Sequence, residues 1–174
     1  MQWLPRLSDA AWFACLGLPL SASERSDARA YLDALGYPHA PIETVASWRE
    51  AERAARDPEW DTQWWLREDA ERQRLMQRAR ERLGAATLLE RLSAATELGT
   101  EVIHGAAAVA AERDGIADAA LVRAASGAAS MALHTAALAR LAGEGGAHLF
   151  MRKYALFEAG RWPLGIVSGA FFVF

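Results

Sequence analysis

Glu101-Val102-Ile103-His104 sets a carboxylate and an imidazole three residues apart, and on a helix that spacing turns both side chains the same way. Carboxylate-bridged di-metal bundles use this spacing, but in two copies and with two further glutamates facing inward. Here it occurs once, since Met131 stands three residues before His134 and Gly145 three before His148. Glu97, Glu101 and His104 are therefore the metal-ligating set on offer. They also read as an exposed row, because they fall opposite the apolar stripe of their helix.

Arg72 is the second candidate. On a helical wheel Trp64, Trp65, Leu75, Met76, Ala79 and Leu83 span one apolar side, and Arg72 projects into the middle of it. A long arginine can lay its stem on apolar surface and keep its head wet. Alternatively Glu68 or Asp61 holds it over a pocket, where its planar fork grips a carboxylate or phosphate. Arg72, Glu68 and His134, with His104 as a substitute, then form the polar lining of an apolar ligand pocket in a helical bundle. His134 also reads as a rim histidine beside Arg123 and Ser130. Cys15 lies between Ala14 and Leu16, the setting of a small buried hydrophobe. No G-x-S-x-G, P-loop or C-x-x-C motif is present, and the catalytic residues stay unknown.

The third candidate is an interaction surface. Trp48, Trp60, Trp64 and Trp65 are clustered, and the tail holds Trp162, Phe171, Phe172 and Phe174. Aromatic residues anchor protein interfaces, and an apolar tail can pair with a partner's sheet edge or a second copy of the chain. The competing reading buries the tail against its own helices. Base stacking on the nearby arginines is opposed by Glu68, Asp69, Glu71 and Glu81, so no nucleic-acid partner is expected. From Arg49 to Arg82 the charges balance, nine of each sign, as on a solvated helix face with pairs such as Glu68–Arg72.

The elements that must position these residues are mostly helical. Leu88 to Ala142 holds two Ala-rich patterns separated at Asp114-Gly115. In the first, Leu88, Leu92, Ala95, Val102, Ala106 and Ala110 share a face, and the phase continues through Gly99-Thr100, predicting one helix. In the second, Leu121, Ala125, Ala128, Ala132 and Ala139 form a stripe, with Arg123, Ser130, His134 and Ala137 opposite. Such small side chains let another helix come close. Gly115 closes the first helix, and the pair folds as a hairpin.

Ahead of this pair the signals predict helices over Asp9–Leu16 (capped by Ser8), Glu24–Leu35 (capped by Ser23), Ile42–Arg56 and Glu59–Leu83. A short helix follows over Ala147–Glu158. Then comes a β-hairpin with strands Leu164–Val167 and Ala170–Phe174 around Ser168-Gly169.

The expected fold is mainly α: six or seven helices around the Ala-rich hairpin, with a short C-terminal β element. It is read as one domain, with charged Trp-rich helices over 1–84, the Ala-rich pair over 85–143, and a short helix with apolar tail over 144–174. A net charge of −3 carries no argument for nucleic acid or membrane. Eighteen arginines against the single Lys153, with abundant alanine, fit the codon bias of a GC-rich bacterial genome.

Ala10–Leu20 is too broken by Asp9 and Pro19, with only Arg6 ahead, to serve as a secretion signal. The lone cysteine agrees with a reducing, cytoplasmic setting. The favoured function is non-enzymatic: a cytoplasmic interaction or assembly protein, self-associating or bound to a protein partner, with no cofactor and no membrane.

Overall fold

The structure, a computed structural model, describes Leu7 and residues 9–174. The described residues form six α-helices and a small three-stranded sheet, a mainly α fold. Helix α1 (Ala22–Ala34) starts from Ser21, not Ser23. The Ser21 hydroxyl accepts from the Glu24 N–H while the Glu24 carboxylate accepts from the Ser21 N–H, a reciprocal cap. The expected helix over Asp9–Leu16 is instead a series of turns, and its proposed cap Ser8 lies outside the described residues. Phe13 takes a positive φ of 59°, and the Ala11 N–H bonds to the carbonyl of Glu158, so these turns are tied to a distant helix end.

The helix expected over Ile42–Arg56 is divided. Strand β1 (Ile42–Thr44) comes first, and helix α2 (Trp48–Ala55) begins only after Ser47, whose hydroxyl caps it. Helix α3 (Thr62–Leu83) is capped by Asp61, which accepts from the N–H groups of Gln63 and Trp64.

Helix α4 (Ala85–Arg113) runs unbroken through Gly99. A Cβ at Gly99 would strike the Leu133 side chain, so the glycine leaves room for α5 (Ala119–Leu141) to pack against α4 there. The α4 face is buried through Leu88, Leu92, Ala95, Gly99, Ile103 and Ala110, while Val102, expected there, is exposed. Gly115, at φ 70°, ends α4 as expected: its N–H bonds to Glu112 and that of Ile116 to Ala111.

Helix α5 is enclosed more fully than a one-sided stripe requires. Thr135 through Ala139 are all buried, including Ala137, expected on the polar side, because α3, α4 and α6 (Leu149–Glu158) all pack on α5. His148 caps α6 by accepting from the Phe150 N–H at Nδ1, and its Nε2 meets Glu71 at 2.8 Å.

The tail forms strands β2 (Pro163–Val167) and β3 (Ala170–Val173), joined at Ser168-Gly169, where both residues have positive φ as a type I′ turn demands. β3 is the middle strand: it pairs antiparallel with β2 and parallel with β1, Ile42 facing Phe171. At the joint after α6, Arg161 is buried and donates to both oxygens of Glu24 and to the carbonyls of Cys15, Leu18 and Pro19. No helix among the described residues is long and apolar enough to cross a membrane.

Candidate functional site

Helical spacing brings Trp65, Glu68, Asp69 and Arg72 to one side of α3. They line a cavity of about 160 Å³ with Met131 and Thr135 from α5 and with Phe150 and Lys153 from α6. Trp65 and Met131 are each 50% exposed, so the cavity carries apolar surface open to water.

A chain of hydrogen bonds leads from the core to this cavity. The Trp64 indole N–H donates to the Tyr31 hydroxyl at 2.7 Å, and that hydroxyl donates to Glu68 Oε1 at 2.7 Å. Lys153 Nζ donates to both Glu68 oxygens, at 2.8 and 2.9 Å, and lies 4.8 Å from the centre of the Trp64 ring. Both members of the Glu68–Lys153 pair are largely buried. Burial, then the adjacent Glu68 charge, pushes the Tyr31 hydroxyl well above its ordinary pKa and keeps it a neutral donor.

Arg72 is held over the cavity by Asp69, not by Glu68 or Asp61. Asp61 is occupied as the α3 cap, and Glu68 turns to Tyr31 and Lys153. Asp69 also accepts from Gln73 at 2.7 Å. The oxygens of both acids are thus engaged, whereas Arg72 brings five N–H donors and bonds Asp69 through one nitrogen. The lining balances two carboxylates against two cations, and the unused donors of Arg72 can take a ligand that supplies acceptor oxygens.

His134 lines a neighbouring groove of about 600 Å³ between α3, α4 and α5. The Thr96 hydroxyl donates to the Leu92 carbonyl, so it accepts from His134 Nδ1 at 3.3 Å. Burial, and secondarily the charge of Arg72, lowers the His134 pKa below 6.5 and leaves the ring neutral at pH 7. Arg72 and Glu68 therefore share one cavity, with His134 in the adjoining one.

His104 is exposed and faces Ser126 of α5 at 3.3 Å. Glu97 and Glu101 are exposed on the same helix. No group of three or more His, Cys, Asp or Glu side chains among the described residues is arranged to hold a metal, so Glu97, Glu101 and His104 do not assemble a centre.

The aromatic interaction set is spent on the interior. Trp64, Trp162, Phe171 and Phe174 are buried, and Trp60 and Phe172 are partly buried against the core. Trp60 packs edge-on to Trp64 at 5.4 Å and closely over Gly165, and Trp162 lies 6.0 Å from Trp48. As the middle strand, β3 has no free edge to offer a partner.

Lys153, Tyr31, Asp69 and Phe150 are contributors that the sequence reading does not assign to the site, whereas it places Trp65 on the apolar side beside Arg72. The signal for Lys153 was present, the chain's one lysine set among Leu149, Phe150, Tyr154 and Phe157 on an apolar helix face. Comparison of the chain with models of protein families, with curated proteins and with solved structures returned no match.

Proposed function

We propose that the protein is a cytoplasmic binding domain for a small carboxylate, received in the cavity between α3, α5 and α6. One observation carries this reading. Glu68 and Asp69 are already engaged by Tyr31, Lys153, Gln73 and Arg72, while Arg72 retains unused donors beside the apolar walls of Trp65 and Phe150. A carboxylate accepts such a fork in two parallel bonds. Titration calorimetry with hexanoate at neutral pH tests it: binding to the parent and a loss of tenfold or more in Arg72→Gln are expected. No heat of binding, or equal affinity in the variant, removes the reading.

A second reading keeps self-association, on a different surface from the aromatic tail. Leu98, Val102 and Val109 stand exposed along one flank of α4, a stripe that a second copy of the chain would bury. Light scattering after size exclusion checks it. A dimer that Leu98→Glu with Val109→Glu converts to monomer supports it, and a monomer at every concentration rules it out.

A further inference from the structure

The lining of the cavity continues beyond the cavity. Along α3 the residues Trp65, Asp69, Arg72, Met76 and Arg80 follow one another at three or four positions, so they occupy one side of the helix. The first three line the cavity and the last two line the groove. On α5, Met131 and Thr135 belong to the cavity and His134 to the groove. Arg72 of the cavity lies about one helical turn from Met76 of the groove. Its guanidinium bonds Asp69 on one side, and its charge is felt by His134 on the other.

The two voids differ in chemistry. The cavity sets Lys153 and Arg72 against Glu68 and Asp69, and the donors left over are those of Arg72. The groove is walled by Met76, Leu88, Leu89 and Leu92, with the neutral His134–Thr96 pair between α5 and α4, and its two charged residues, Arg80 and Glu97, are exposed. Leu89 is 67% exposed there, a large apolar side chain facing water.

We propose that the cavity and groove form one bipartite site for a linear alkyl carboxylate. Its head bonds Arg72, and its chain lies along Met76, Leu89 and Leu92. The position of the head rests on the function proposed above, and the groove as the seat of the chain is the new element. The unused N–H donors of Arg72 select an acceptor head group, and the apolar walls select an unbranched chain over a second polar group.

The test is calorimetry on the full chain with hexanoate, octanoate, decanoate and dodecanoate below their micelle concentrations. Dodecyl alcohol and dodecyltrimethylammonium serve as head-group controls. Affinity is expected to rise about fourfold per added methylene, and both controls are expected to bind at least tenfold more weakly than dodecanoate.

Leu89→Glu changes an exposed position, so the fold stands. It should weaken dodecanoate tenfold or more and leave hexanoate unchanged. Hexanoate binding that does not strengthen with chain length, or dodecanoate binding indifferent to Leu89→Glu, overturns the bipartite site while the cavity reading stands. Alcohol or ammonium binding as tight as dodecanoate also overturns it. Failure of hexanoate to bind at all removes the cavity reading itself.

Discussion

Lys153 Nζ lies 2.8 and 2.9 Å from the two carboxylate oxygens of Glu68, and this pair joins α6 to α3 at the cavity. Tyr31 of α1 bonds the same carboxylate, so three helices meet on one acid. Removing the lysine leaves a largely buried carboxylate with one neutral donor. Lys153→Met is expected to cost ~2–3 kcal/mol, and Glu68→Gln with Lys153→Met to recover most of it. Urea unfolding of the four members of the double-mutant cycle reads the coupling.

Arg161 and Glu24 give a pH signature. Burial alone would raise the Glu24 pKa, but the bonds from Arg161 and Ser21 outweigh it and bring the carboxyl to about 2, against an ordinary 4.5. The folded value lies below the unfolded one. The stability Glu24 contributes is therefore full above pH 4.5 and is lost as pH falls toward 2. Thermal midpoints measured between about pH 5 and pH 2.5 should fall less steeply in Glu24→Gln than in the parent. At neutral pH, Arg161→Met should cost ~3 kcal/mol or more, because it strands Glu24 and three backbone carbonyls.

Three helix-interior glycines separate by what lies beyond them. A Cβ at Gly99 meets the Leu133 side chain, whereas at Gly105 and Gly127 nothing stands within 4 Å. Gly99→Ala should destabilise by ~1–3 kcal/mol through overpacking. Gly105→Ala and Gly127→Ala should each stabilise by ~0.5–1 kcal/mol, because alanine gives up less backbone freedom in a helix. Chemical denaturation of the three variants checks both signs.

Phe171 is fully buried in the central strand, its ring 5.5 Å from that of Tyr31. Phe171→Ala should cost ~3–5 kcal/mol. Deleting residues 170–174 removes the strand that joins β1 to β2 and should abolish the cooperative transition. Calorimetric scans distinguish this from a change of oligomeric state alone.

The parts of the fold readable in the sequence are those whose cause is local. The unbroken α4 announced itself through a phase kept across Gly99, and the Ser168-Gly169 turn through its residue types. Strand β1 was not legible: Ile42–Thr44 is extended because residues 171–173 pair with it, and Pro41 before it resembles a helix start.

The site divides the same way. Glu68 and Arg72 emerged from wheel positions on one helix, but their expected mutual pair is replaced by Glu68–Lys153 and Arg72–Asp69. Helical spacing allows both partners to Arg72, and only the arrival of Tyr31 and Lys153 from other helices decides between them.

The pairing of Ile42 with Phe171 also carries a kinetic expectation. Neighbours in sequence such as α4 and α5 can dock after closing a short loop, while the sheet must bring β1 to a strand that follows all six helices. Long-range pairing of that kind carries the larger loop-closure cost and is expected to form after the main folding barrier. Ile42→Ala should accordingly hasten unfolding in stopped-flow experiments and leave the refolding arm nearly unchanged.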